Sequence, residues 1–312
     1  ADCYFMQKNY KQALSMYQQA LDYSWPNADY ALYQKAMLAG VNNSRSKIDQ
    51  LSTLQRLYPR SNLIPDANME IAKTYMADEK FQAAIPFLNN VISAPQNTGF
   101  KQSALLQLGV CYFNLNKRQE ALDQYKKLLQ QYPNSEEAGF ALENIRDIYV
   151  EMGKPQEYEA FIRSTGKNIS ASEADSLAYA AVEVKINNND CAGAIEQITN
   201  YLNRFPNGAH AIDAYYNRSE CYMARKDWKS ALPGYEYVAN QGASQYAEKS
   251  ALIAARSYYF ELKDYAKAQP YYDILRNVAT TDDSRLEALR GSLRCHYQLK
   301  EYKQAADVAK DL

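Results

Sequence analysis

The sequence predicts an all-α fold, an α-solenoid of about nine stacked helix-turn-helix pairs. Three observations carry the prediction. An aromatic residue is followed nine positions later by a small one at Tyr4/Ala13, Tyr75/Ala84, Tyr112/Ala121, Tyr222/Ala231, Tyr259/Ala268 and Tyr297/Ala306. The second-helix positions run 13, 47, 84, 121, 158, 194, 231, 268 and 306, a period of about 37 residues. Within Phe100–Pro133, the clearest unit, Leu105, Leu108 and Tyr112 and then Ala121, Tyr125 and Leu128 fall at helical spacing, and Pro133 stops the second helix.

In that reference unit the turn falls at Asn114–Lys117. Gly109 and Ala121 let two short helices approach, since packing rather than propensity holds such helices in place. Residues 1–26 give the end of one first helix and a whole second helix with Ala13, Tyr17 and Ala20 on one face. Residues 27–59 are atypical, with Leu38 and Lys47 at the marker positions. Residues 65–94 return to pattern. Residues 138–162 turn at Gly153-Lys154-Pro155. A break or bend is expected at 163–170, after which Ser170 and Glu173 form a capping box. Four more units follow, the last opened by a second box at Ser284 and Glu287.

Small residue and tyrosine in the first helix, then alanine, an aromatic or aliphatic residue and proline in or after the second, make a pattern that resembles the tetratricopeptide repeat. The resemblance covers essentially the whole of residues 1–312, read as one solenoid and as a piece of a longer array. It implies a right-handed solenoid whose first helices line a concave face that holds a partner segment. The family period is near 34, and the surplus lies in links such as Tyr58-Pro59-Arg60-Ser61 and Tyr132-Pro133-Asn134-Ser135. These longer repeats resemble those of bacterial cell-envelope proteins, which makes the envelope or periplasm the expected location and the cytoplasm the alternative.

Composition narrows the function. Lys and Arg total 35 against 36 for Asp and Glu, so the chain lacks the basic excess of a general nucleic-acid or anionic-membrane surface. No apolar run reaches the length of a membrane-spanning helix. The five cysteines form no CxxC pair, and Cys3, Cys111 and Cys221 precede repeat tyrosines, which makes them packing residues. Of the 28 tyrosines, eleven occupy packing places: Tyr4, Tyr75, Tyr112, Tyr149, Tyr222, Tyr259 and Tyr297 in first helices and Tyr17, Tyr125, Tyr235 and Tyr272 in second ones. His210 and His296 have no carboxylate or cysteine at metal-ligand spacing, and no phosphate-loop, dinucleotide or nucleophile-elbow run occurs. The expectation is therefore no enzyme, no cofactor and no metal.

What remains is surface. The resemblance points the residue after the small crossing residue into the groove: Ala36, Lys73, Val110, Asp147, Glu183, Glu220, Ser257 and Cys295. Glu143 and Glu151 lie one turn either side of Asp147. Three positions further on stand Phe5, Ala39, Met76, Phe113, Val150, Ile186, Met223, Phe260 and Gln298. The expected site is thus an apolar groove with an acidic middle, its partner a protein or peptide, specifically a basic amphipathic segment. The rival readings are a self-assembling structural spacer and a carbohydrate platform built on exposed tyrosines.

Overall fold

A computed structural model describes residues 1–41, 43–95 and 99–312. Among them are eighteen α-helices, one π-helical segment and no strand. In chain order the helices are α1 Asp2–Met6, α2 Tyr10–Asp22, α3 Ala28–Gly40, α4 Ser44–Leu57, α5 Ile64–Ala77, α6 Phe81–Ser93, α7 Lys101–Asn114, α8 Arg118–Gln131 and α9 Glu136–Glu151. They continue with α10 Pro155–Ser164, α11 Ala171–Asn187, α12 Cys191–Arg204, α13 Ala211–Ala224, α14 Trp228–Asn240, α15 Ala247–Arg256, α16 Tyr265–Val278, α17 Asp282–Gln298 and α18 Tyr302–Lys310. The π-helical segment, Ser257–Leu262, continues α15.

The helices form two compact units, Ala1–Ile148 and Tyr149–Leu312, divided within α9. In the first, consecutive helices from α1 to α8 pack on one another. Its core is a chain of clusters: Ala13 with Tyr17, Leu32 with Leu51 and Leu54, then Ala72, Ala84, Leu88 and Cys111. In the second, consecutive packing runs from α10 to α18, around Val182, Ala194 and Ile198 and then Ala268, Tyr272 and Cys295. Each helix pair covers only its neighbours' apolar faces, the nearest-neighbour logic of a repeat array. The segment at 163–170 lies inside the second unit, where Ser170 caps α11 in a reciprocal box with Glu173.

The turn between the two helices of a pair carries the repeat most regularly. One residue there adopts the left-handed conformation: Lys8, Glu79, Asn116, Gly153, Asn189, Lys226, Lys263 and Lys300, with φ between 55° and 70°. From Glu79 onward the steps are 37, 37, 36, 37, 37 and 37, taken from those numbers. The next N–H reaches back five residues to a carbonyl, as in Lys117 to Tyr112 and Asp227 to Tyr222. This bond closes the first helix as a Schellman-type cap.

That register corrects the last unit. Between the turns at Asn116 and Lys300 the offset is 300 − 116 = 184. The same offset carries Cys111 to Cys295 and Ala121 to Ala305, and all four are buried. Ala305 is therefore the crossing residue, and Ala306 is exposed. Tyr297 is 61% exposed, its ring edge-on to Tyr302 at 5.7 Å, and the equivalent of Tyr112 is His296. Two adjacent alanines and two adjacent rings offered two registers, and only packing decides between them.

The π-helical segment makes a separate departure one unit earlier. α13 and α15 start at Ala211 and Ala247, 36 apart, but their left-handed closing residues, Lys226 and Lys263, are 37 apart. One extra residue is absorbed in the wide turn, and Asp264 N–H reaches back six residues to Tyr258 instead of five. Three further expectations are corrected. The cap of α17 is Thr281, which accepts from Ser284 N–H, so Ser284 is not the cap, and Glu287 instead takes Arg256. Ala36 is fully buried, itself a crossing residue rather than a groove residue. Cys3 is exposed, not packed.

Candidate partner-binding face

The first helices of the pairs position the expected site residues. In the first unit Lys73 and Met76 lie on α5, Phe113 on α7, and Glu143 and Asp147 on α9. Lys73 pairs with Glu70 at 3.0 Å, and Glu70 also takes Lys47 at 2.7 Å. Burial pushes the Glu70 carboxyl up, but the two lysines outweigh it and hold it below the usual range. Met76 and Phe113 are half-buried, and the Arg118 guanidinium covers the Phe113 ring at 4.0 Å. Glu143 and Asp147 are exposed, and Arg146 meets Asp147 at 3.0 Å.

In the second unit Glu151, Glu183, Ile186, Glu220, Met223 and Phe260 follow on α9, α11, α13 and the π-helical segment. Glu151 and Glu183 are exposed and Ile186 is half-buried. Glu220 is tied inward, accepting from the Tyr235 hydroxyl at 2.6 Å and meeting Lys249 at 2.8 Å. The corrected register also changes the row itself. Arg256, 36 after Glu220, follows the buried Ala255, and Arg294 precedes the buried Cys295. Arg256 and Arg294 replace Ser257 and Cys295 in the groove row, which therefore passes from acidic to basic along the second unit. Sequence reasoning missed both arginines: counting six back from the left-handed turn finds Arg294, and the extra residue of the π-helical segment moves the place from Ser257 to Arg256.

The apolar row is sharpened by the same correction. Three residues before each left-handed turn residue stand Phe5, Met76, Phe113, Val150, Ile186, Met223, Phe260 and, in place of Gln298, Tyr297. Every member is apolar or aromatic. The last three, spaced by 37 and 37, are 40%, 45% and 61% exposed.

A pocket of about 260 Å³ opens between α11, α13 and the start of α15. Its back is set by a buried network. Asp175 accepts from the Tyr201 hydroxyl at 2.5 Å and from Ala209 N–H at 2.7 Å, and the Tyr201 oxygen accepts His210 N–H at 3.1 Å. A Cβ at Gly208 would lie 2.5 Å from the Tyr201 hydroxyl, so only glycine fits that link. The network holds the His210 ring flat on Tyr179, centroids 4.4 Å apart and planes 1° from parallel. Tyr246, stacked on Tyr216 at 4.0 Å, donates to Asp213 at 3.0 Å, and Asn217 donates to the Tyr179 oxygen at 3.1 Å. Burial first and Asp213 second hold both the Tyr179 and Tyr246 phenols above their ordinary range, so both remain neutral donors.

Nothing in this arrangement is a reacting constellation. Among the described residues no group of three or more His, Cys, Asp or Glu side chains could hold a metal, and His296 turns its Nδ1 to Glu301 at 2.7 Å. No helix among them is long and apolar enough to cross a membrane. A second hollow, about 510 Å³, lies at the α4–α5 link, where Gln55 and Asn90 both donate to Asn68, so its amides satisfy one another.

The tetratricopeptide repeat family model matches residues 1–28 and 103–135, in agreement with the resemblance read from the sequence. No curated protein matches the chain. Among solved structures it is similar to a tetratricopeptide repeat protein from Parabacteroides merdae, at 13% identity over 86% of this chain and 100% of that one, TM-score 0.40. It is similar also to the TPR2AB domain of yeast Sti1 solved with an HSP90 peptide, at 16% identity over 93% and 99%, TM-score 0.39. A third is yeast Tom70, at 14% identity over 94% and 60%, TM-score 0.36. Scores this low carry no inference about what this chain binds.

Proposed function

We propose that this tetratricopeptide-repeat chain is a non-enzymatic scaffold whose first-helix face holds an extended or helical segment of another protein. The exposed row Met223, Phe260 and Tyr297 carries the reading, because three large apolar groups in register on successive pairs are costly to leave in water unless they meet something. Recognition would use shape and a few anchors on a preformed surface, with apolar groups seated beside charge. The sign change from Glu183 on α11 to Arg294 on α17, with Arg256 between them paired to Glu287, favours a segment that is basic toward α11 and acidic toward α17. The setting we favour is the bacterial cell envelope, supported by the long repeats and their YPxS-like links.

The test is a selection of random peptides on the immobilised whole chain. Selected peptides should pair apolar with charged residues, and the triple variant Met223→Ser, Phe260→Ser and Tyr297→Ser should lose them while keeping its circular dichroism. Selection of no peptide, or equal binding by the triple variant, overturns the reading. The spacer reading has its own signature: concentration-dependent self-association in sedimentation that the same triple variant abolishes.

A further inference from the structure

We propose that the α11–α13–α15 pocket receives one cationic side chain, an ammonium or a guanidinium, from the segment held on this face; the proposal rests on the scaffold reading above. The pocket carries two carboxylates, Glu183 and Asp213, and no lysine or arginine lines it. Glu183 makes no ion pair with any described residue. Asp213 uses one oxygen for the Tyr246 hydroxyl and keeps the other open. The nearby Lys249 is spent on Glu220 at 2.8 Å. Two negative charges thus face one cavity without compensation.

The walls suit the same ligand. Tyr179 and Tyr246 are among its lining side chains, and a cation that meets the face of such a ring is attracted by its quadrupole. Both rings are held by a second stacked ring, Tyr179 by His210 and Tyr246 by Tyr216, so little ordering remains to be done on binding. Asn217 gives its N–H to Tyr179 and keeps its carbonyl as an acceptor. Ile186 supplies apolar contact for a methylene stem. An anionic group would meet the two carboxylates at close range and be rejected. A neutral aliphatic side chain would leave them unpaired.

The whole chain, labelled with carbon-13 in its tyrosine rings, is titrated with Nα-acetyl-lysine methylamide, Nα-acetyl-arginine methylamide and the neutral Nα-acetyl-norleucine methylamide. At least one cationic probe should shift the Tyr179 and Tyr246 ring signals saturably, and the norleucine probe should not. Glu183→Gln should weaken the cationic probe, and Glu183→Gln with Asp213→Asn should weaken it about tenfold. The single variant leaves the Tyr246–Asp213 bond in place and guards against a misfolded double variant. No saturable shift with either cation, an equal shift with norleucine, or unchanged binding by both variants overturns the pocket assignment. A chain that selects peptides through Met223, Phe260 and Tyr297 yet ignores the cationic probes keeps the scaffold reading and loses this one.

Discussion

The Tyr235 hydroxyl donates to the Glu220 carboxylate at 2.6 Å across the crossing of α13 and α14, and Lys249 reaches the same carboxylate from α15. An acid that periodicity offers as a free groove charge is thus a tie between three helices. Removing it alters the fold's own bonds before it alters any partner contact, so Glu220 is a poor probe of binding and Glu183 a good one.

The tie makes stability pH-dependent. Burial pushes the Glu220 carboxyl up, but Lys249 and Tyr235 together hold it below its ordinary 4.5, and Glu70 behaves alike under Lys47 and Lys73. A carboxyl lowered in the folded state stabilises above the unfolded value and loses that contribution as pH falls through the folded one. The urea midpoint should therefore drop between about pH 5 and about pH 3, and Glu220→Gln should shallow the drop.

Glycine at the crossings should be irreplaceable where a ring lies over it. A Cβ at Gly109 collides with the Tyr125 ring and one at Gly291 with the Tyr272 ring. Gly109→Leu and Gly291→Leu should each cost about 3 kcal/mol by overpacking. Gly139, with nothing near its missing Cβ, should accept alanine with a gain of about 0.5–1 kcal/mol for a helix interior. Chemical denaturation of the three variants checks the ranking.

Thiol reactivity should divide the cysteines. Cys111, Cys221 and Cys295 are buried, and burial pushes their thiols up, to about 11 for Cys111 and about 12 for the other two. All three should react slowly with a thiol reagent until the chain unfolds, whereas exposed Cys3 reacts at once. Mass spectrometry of timed labelling reads each site. Fast native labelling of Cys295 would contradict the corrected register of the last unit.

Gly208→Ala should disturb the pocket from behind. The new methyl group would press on both the Tyr201 hydroxyl and the Asp175 carboxylate. Separating that buried pair should cost about 1–3 kcal/mol, the usual penalty for an unsatisfied polar group. The ring signals of Tyr179 should move as His210 leaves its stack, even with no ligand present.

The repeat was legible in the sequence because its markers are chemical: an aromatic, a small residue, a proline. The turns were legible at Asn116 and Gly153, residue types that enter the left-handed region readily. They were not legible at Glu79, Lys226, Lys263 and Lys300, where the packed helices on either side impose that conformation on unsuited residues. The extra residue of the π-helical segment leaves the Tyr259-to-Ala268 spacing intact and so left no trace in the pattern. The pocket was illegible for a different reason. His210 and Tyr246 hold the same place just before α13 and α15, but neither they nor Asp213 is among the aromatic, small or proline markers of the repeat, and the Asp175–Tyr201 network behind them joins residues 26 apart in the chain.

The π-helical segment has a genetic consequence. One residue added to an α-helix turns everything beyond it by about 100°, enough to bury polar groups and expose core ones. Here Ala255 before the segment and Ala268 after it both stay buried. A single-codon insertion in a duplicated gene can therefore be healed within one turn, while the remaining copies keep step. Arrays of this kind can drift in length between copies and still assemble.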